Sequence, residues 1–428
     1  MPKSLTFIHA ADLHLGAPFR GLAQVSETWS ARLMSAIHEA FERVIDAALT
    51  REVDFVVIAG DVFDATRSSY GDYLRFFKGM KRLGEAGIPV YLVAGNHDPI
   101  TSWKQGLFLL PENAHMLSAT QPEFHLFERE GEPLCIIGGR SYYNQTWPMD
   151  ECIAAGITRK AGIDALREDF PQAGGAPFAV GMLHTGLNLD PIKAPVKPSV
   201  LMAAGMDYWA CGHIHMPYAY PSRENQRIVF SGCIQGRDIK ETGPRGINHV
   251  TLTEGKPPEV TFIPTASVVW QQLPVDVSVC EALPDVADRI MRELFRANGK
   301  AHCEEMVSRI RLVGPTHLHE VLQRPDVRED MRKHVNDSYS AFFCDLIVDE
   351  TTTPRDKDAL REEGLFPAVM LQVSSDLLSR SDDSKAFLQD EFLKRNLQLP
   401  AACAAQVEEL SARAEDLVLD LLSQGEAR

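Results

Sequence analysis

The chain has no uninterrupted apolar run near the roughly 18 residues that a membrane-spanning helix requires. Its opening stretch, MPKSLTFIHAADLHLG, also lacks the long apolar middle of a signal peptide. These absences lead us to expect a cytoplasmic protein that is not embedded in a membrane. Close cysteine pairs are missing as well: the eight cysteines are scattered with no CxxC, which excludes a zinc-thiolate knuckle or a disulfide scaffold and leaves reduced thiols. Basic charge is in short supply, with 43 Lys and Arg against 59 Asp and Glu for a net charge of -16. Such a balance weighs against a strong autonomous binder of nucleic acid, because phosphate binding is driven largely by lysine and arginine. It does not exclude a locally positive cleft, since two divalent cations would place about four positive charges there. Neither a Walker A sequence nor a Rossmann glycine fingerprint occurs, so any dependence on ATP has to come from a partner.

What is present is a globular balance of 45% hydrophobic and 24% charged residues over 428 positions, too long for one ordinary core. Residues 1–265 alternate short apolar runs with amphipathic stretches, the pattern of a layered α/β domain. Strands are expected at Leu5–His9, Asp54–Ala59, Val90–Ala94, Leu134–Gly138, Phe178–Leu183 and Asp207–Cys211, with helices at Ser30–Ala48 and Tyr73–Leu83. Arg227–Ser231, Asn248–Thr253 and Val260–Pro264 read as antiparallel strands. Residues 266–350 read as a small β-α-β-α-β unit, and residues 351–428 as a linker followed by helices. From residue 355 onward there are 15 Asp and Glu against 9 Lys and Arg, so the tail holds a disproportionate share of the acidity.

Chemistry concentrates in polar clusters that follow predicted strands: DLH (Asp12–His14), GDVFD (Gly60–Asp64), GNHD (Gly95–Asp98) and GHIH (Gly212–His215), with His184 alone after FAVGML. In layered α/β folds the carboxyl ends of neighbouring strands share an edge, so residues distant in sequence converge there. Carboxylate, imidazole and one amide without thiolate form a ligand set for hard-to-borderline divalent ions such as Mn, Fe or Zn. Two such ions could stabilise both the attacking and the leaving oxygen of an in-line phosphoryl displacement. D-x-H alone is weak, whereas GNHD is expected by chance on the order of 0.003 times in a chain of this length. Taken singly, an Asp is more often a cap or turn former, and a lone His ending an apolar strand is often a core residue. His317 and His319 form a second H-x-H at the start of an amphipathic helix with no carboxylate block beside it. These two, like His9, His38, His115, His125, His249, His302 and His334, read as surface residues.

These blocks, in this order, resemble the calcineurin-like metallophosphoesterase superfamily. The resemblance implies a layered α/β/β/α sandwich. It implies that Asp12, His14, Asp61 and His215 hold one metal, and that Asp61 bridges to a second held by Asn96, His184 and His213. A metal-bridging hydroxide would be the nucleophile, and His97 would protonate the leaving group while Asp98 orients its ring and Asp64 holds a neighbouring imidazole. HAADLHLG, IAGDVFD, VAGNHD and ACGHIH, with IQGRDIKETGPRG, are similar to SbcD-type DNA-repair exonucleases, the last segment to their YhaO-like bacterial branch. That family implies manganese-dependent hydrolysis of DNA phosphodiesters, a small α/β capping domain, and a helical tail that binds an SMC-like ATPase, with a homodimer possible. A phosphodiesterase or phosphatase for small nucleotides, and a catalytically silent adaptor of an ATPase, are the competing readings. In the tail, Val407, Leu410, Ala414, Leu417 and Leu421 form an apolar stripe at spacings of three and four, flanked by Glu408, Glu409, Glu415 and Asp416.

Overall fold

The computed structural model describes all residues except 1, 18–25, 104–108, 302, 363–365, 380, 396–402, 404–405 and 427–428. By its contacts the chain divides into two units, the first comprising residues 1–272, 296–308 and 340–345 and the second 273–295, 309–339 and 346–428.

In the first unit the strands β1 (Ser4–Ala10), β2 (Phe55–Ala59), β3 (Val90–Val93) and β4 (Ala114–Met116) run parallel, with β11 (Gly246–Thr253) and β12 (Glu259–Pro264) completing one six-stranded sheet. The second sheet has the order β5-β6-β7-β8-β10-β9, formed by Glu123–Arg129, Glu132–Arg140, Phe178–His184, Tyr208–Gly212, Gln226–Phe230 and Tyr218–Pro221. Strand period explains the stacking, because successive side chains leave opposite faces of a sheet. In the first sheet Phe7, Phe55, Val57, Tyr91 and Val93 join Phe178, Val180, Met182, Tyr208 and Ala210 of the second in a core between the sheets. The alternate residues Ile8, Val56, Ile58 and Leu92 instead pack with α1 (Glu27–Thr50) and α2 (Tyr70–Glu85). On the far face, Ala179, Leu183 and Trp209 pack with Leu166 of α3 (Arg159–Leu166) and Leu201 of α4 (Pro198–Ala203). The result is the α/β/β/α sandwich, with the central strands β2, β3, β7 and β8 buried on both faces, as strands covered on two sides must be.

The segment Arg227–Ser231, expected to pair only antiparallel, is β10, which runs parallel to β8 and antiparallel to β9. A separate three-stranded sheet has the order β13-β14-β15, from Val268–Asp276, Glu305–Pro315 and Phe342–Thr352. Between its strands lie α5 (Leu283–Ala301), α6 (His319–Leu322) and α7 (Pro325–Ser338). Pro325 divides the helical stretch 317–334 in two, having no backbone N–H to continue α6 and serving as the first residue of α7. The helices α8 (Lys357–Glu362), α9 (Phe366–Ser379), α10 (Ser381–Lys394) and α11 (Val407–Glu426) follow and belong to the second unit.

His319 is buried in that second unit, not on the surface: its Nδ1 lies 2.8 Å from Thr351 Oγ1, and its Nε2 3.7 Å from Asp420 Oδ2. His9 is buried as well, its Nδ1 2.9 Å from the Tyr208 hydroxyl. His302 and the side chains of Glu408 and Glu409 lie outside the described residues.

Candidate metal centre

Each chemical block begins where a parallel strand ends. Asp12 and His14 follow β1, Asp61 follows β2, Asn96 to Asp98 follow β3, His184 is the last residue of β7, and His213 and His215 follow β8. The loops are zipped to one another by backbone bonds, Asp12 N–H to Gly60 O (3.1 Å) and His14 N–H to Asp61 O (2.9 Å). Close approach dictates the glycines. A Cβ on Gly95 would lie 2.1 Å from Asp61 Oδ1, and one on Gly212 1.9 Å from Ala59 O. Backbone strain gathers here too: Asp12, His14, Asp61 and His213 all have positive φ (51°, 48°, 51° and 103°). Such conformations cost of order 1–3 kcal/mol each in a non-glycine residue and persist where the surroundings impose them.

Side chains converge as the loops do. Asp12, His14 and His215 form one group able to hold an ion, and Asp12, Asp61 and His184 another. His14 Nε2 and His215 Nε2 are 3.1 Å apart, and His184 Nε2 lies 3.1 Å from Asn96 Oδ1. Donor atoms on adjacent positions around an ion with bonds near 2.1 Å are separated by about 3.0 to 3.4 Å. Asp61 Oδ2 sits 3.7 Å from His14 Nε2 and 3.4 Å from His184 Nε2, is buried, and accepts no hydrogen bond. A buried carboxylate oxygen left without a donor between two imidazoles is what a cation would satisfy, so the donor set fits divalent ions.

The electrostatics agree. Burial opposes charge on Asp61, yet His184 and His14 hold its carboxyl well below the ordinary range. Burial likewise works against a charged His184, but the Asp61 carboxylate holds this imidazole up at about 9. These directions put the pair's proton on the His184 ring beside an ionised Asp61, and a cation bound there would displace it. His14 is pushed well below its usual value, chiefly by burial and then by Arg237, so its ring offers a lone pair.

Asp98 does a different job from the one expected. Its Oδ1 accepts N–H groups of Asp61 (3.1 Å) and Gly95 (2.8 Å), and its Oδ2 those of Val62 (2.8 Å) and Phe63 (3.3 Å). It staples the β2 and β3 loops together and does not orient the His97 ring. Asp64 accepts from Thr66 Oγ1 at 3.2 Å, instead of holding an imidazole. His97 is exposed, its N–H donates to Asp61 Oδ1 at 2.8 Å, and its ring stands edge-on to His14 with centroids 5.1 Å apart.

Three residues around the site were given no role in the sequence reading, although Arg237 and Glu241 lie in the segment IQGRDIKETGPRG. Glu241 Oε1 lies 2.6 Å from His215 Nδ1, Asp190 Oδ2 lies 3.0 Å from His213 Nε2, and Arg237 lies 3.3 Å from His215 Nδ1. Although burial opposes it, the His215 hydrogen bond holds the Glu241 carboxyl at about 2.

Residues 5–217 match the family described as calcineurin-like phosphoesterase, and residues 270–352 match the middle domain of metallophosphoesterase YhaO. The DNA double-strand break repair protein Mre11 of Aeropyrum pernix is 30% identical over 320 residues, which cover 71% of each chain. The chain belongs to the calcineurin-like phosphoesterase family. An uncharacterized metallophosphoesterase YhaO of Bacillus subtilis is 37% identical over 282 residues, covering 65% of this chain and 64% of the relative. For Mre11 of Haloferax volcanii the identity is 36% over 249 residues, 58% of this chain and 49% of that one. Against these three relatives the chain thus spans between about half and seven-tenths of their length. Among the described residues no helix is long and apolar enough to cross a membrane.

Proposed function

We propose that this phosphoesterase is a two-metal phosphodiesterase that cuts DNA, the nuclease subunit of a cytoplasmic repair complex with an SMC-like ATPase. The observation that carries the reading is Asp61 Oδ2, buried without a donor and within 3.7 Å of imidazoles from two different clusters. Asp12, His14, Asp61 and His215 would hold one ion, and Asp61, Asn96, His184 and His213 the other. Manganese is the proposed metal, with iron or zinc as alternatives. When bound, the ions supply Lewis acidity and a nucleophilic water at neutral pH.

The chain's own residues do the rest. Asp98 fixes the loops that carry Asp61 and His97, so that the two keep their spacing while substrate enters. His97 is tethered by its backbone and leaves its exposed ring for the substrate. As the bond from phosphorus to the leaving oxygen breaks, that ring gives its proton to the departing alkoxide. DNA as substrate is supported by the double-strand break repair relatives. The chain's net charge of -16 supports a division of labour in which a partner supplies much of the DNA affinity. An exposed apolar stripe supports the partner. Leu410, Ala414, Leu417 and Leu421 of α11 are exposed and suit the ATPase, and a homodimer is a further expectation.

The test is incubation of the manganese-loaded protein with labelled single-stranded and duplex DNA, beside small cyclic and linear nucleotides. Cleavage of DNA is expected. Hydrolysis of the nucleotides alone would transfer the site to small substrates, and loss of both activities would leave an adaptor of the ATPase.

A further inference from the structure

The two histidines of GHIH are held by carboxylates from two separate loops, and they are held by opposite ring nitrogens. Asp190, in the loop between β7 and α4, meets His213 at Nε2 (3.0 Å), whereas Glu241, in the loop between β10 and β11, meets His215 at Nδ1 (2.6 Å). An ionised carboxylate only accepts hydrogen bonds, so the nitrogen facing it carries the proton and the other nitrogen of a neutral ring carries the lone pair. Each carboxylate is itself fixed through its other oxygen: Asp190 Oδ1 accepts the Ile192 N–H at 2.9 Å, and Glu241 Oε2 accepts the Arg237 N–H at 2.7 Å.

We propose that Asp190 and Glu241 are positioning residues that lock His213 and His215 in opposite tautomers, so that His213 offers Nδ1 and His215 offers Nε2 to two different ions. On the His215 side, Nε2 lies 3.1 Å from His14 Nε2 and 4.0 Å from Asp12 Oδ1. Arg237, which can only donate, faces the same Nδ1 as Glu241 but at 3.3 Å against 2.6 Å, so the carboxylate makes the shorter contact and takes the ring N–H. On the other side, the His213 ring packs edge-on to that of His184, with centroids 5.4 Å apart. The backbone N–H of His213 also donates to both Asp12 oxygens at 3.1 Å. Two residues apart on one loop, the rings cannot both present the same nitrogen to the cleft unless one of these carboxylate contacts breaks. The inference rests on the two-metal reading for its consequence, though not for its geometry. Partners that orient a ligand histidine are typically worth about 10- to 100-fold in metal affinity.

Two measurements on the full chain separate these parts. In chelator-treated protein labelled with 15N-histidine at pH 9, one-bond and two-bond nitrogen couplings report each tautomer. Nε2–H is expected for His213 and Nδ1–H for His215, with the preference lost in Asp190→Ala and Glu241→Ala respectively. Titration with manganese, followed by electron paramagnetic resonance, is expected to lose about 10- to 100-fold in one step in Glu241→Ala and in the other step in Asp190→Ala. Asp190→Asn and Glu241→Gln, whose amide oxygens still accept the ring N–H, are expected to recover most of the loss. Like tautomers in the unaltered protein would overturn the proposal, as would equal weakening of both steps by either alanine variant. If the unaltered protein binds no manganese, the two-metal reading fails while the tautomers still decide the geometry.

Discussion

The phosphoesterase core and the C-terminal helices are built on opposite patterns of exposure. In the core the charged residues of the site, Asp12, His14, Asp61, Asp98 and His184, are almost wholly buried, and the strands that carry them are apolar on both faces. In α11 it is Leu410, Leu417 and Leu421 that are exposed, while Asp420 and Val407 are buried. Ion pairs tie the inward side of this helix to the start of the tail. Lys357 meets Glu415 at 2.8 Å and Asp416 at 2.6 Å, and Arg355 meets Asp420 at 2.6 Å. Glu415 and Asp416 were read from the sequence as flanking a seam for a partner; they are instead taken up within the chain. The core gathers buried donor atoms that suit cations. The helix turns its acidic residues to Arg355 and Lys357, and among the described residues Leu410, Leu417 and Leu421 stay exposed.

The sharpest way to break this comparison is to remove the residue at its centre. Asp61→Ala is expected to lose both ions and with them all measurable hydrolysis, a larger loss than Asn96→Ala, which removes one terminal ligand. Elemental analysis of the purified variants checks this, and unchanged stoichiometry would mean that Asp61 bridges nothing. Next in size is His97→Ala, expected to keep both ions while hydrolysis falls by about 10²-fold or more, the usual scale for a general acid. Loss of metal from that variant would make His97 a ligand and put the proton donor elsewhere.

The tail yields the next effect. Leu417 is 60% exposed, so Leu417→Asp costs the isolated chain little, within about 0.5 kcal/mol for a surface position. Paired with Leu421→Asp, it is expected to leave the melting temperature unchanged and to abolish co-purification with the ATPase. A melting temperature lowered by many degrees would assign the stripe to the chain's own core. Truncation before Pro400 is the blunter version, because it also strips Arg355 and Lys357 of their carboxylate partners.

How much of this was legible follows from where the signals lie. Asp12, Asp61, Asn96 and His213 could be read from the sequence because each stands after an apolar strand and beside a glycine or a motif partner. A layered α/β domain was legible through the apolar runs on either side of them, whereas its α/β/β/α layering followed from the family resemblance. The roles of Asp190 and Glu241 were not legible, even with Glu241 inside the segment IQGRDIKETGPRG, since both sit in irregular loops and meet histidines 23 and 26 residues away. His319 was misread because its environment is made by Thr351, 32 residues along, and by Asp420 of α11, which no local pattern predicts. For Asp98 sequence adjacency favours the neighbouring ring of His97, whereas the loop geometry turns its carboxylate to four backbone N–H groups.

The smallest effect tests whether burial in the core acts on histidines away from the ions. Burial pushes His9 down from its ordinary value to about 3, against a backbone hydrogen bond at Cys211 that acts the other way. An unfolded chain protonates this ring near pH 6.5, so between about 6.5 and 3 the unfolded state binds the extra proton. Stability from His9 is therefore fully present above pH 6.5 and is lost as the pH falls toward 3. In His9→Gln the contact with the Tyr208 hydroxyl is altered, and a loss of about 1 kcal/mol at pH 7.5 is expected. That deficit shrinks on acidification, because glutamine has no proton to take up. Denaturant melts of both proteins at pH 7.5, 6.0 and 4.5 check it, and a deficit that is constant across the series would mean that the imidazole takes up its proton in the folded core at the same pH as in the unfolded chain.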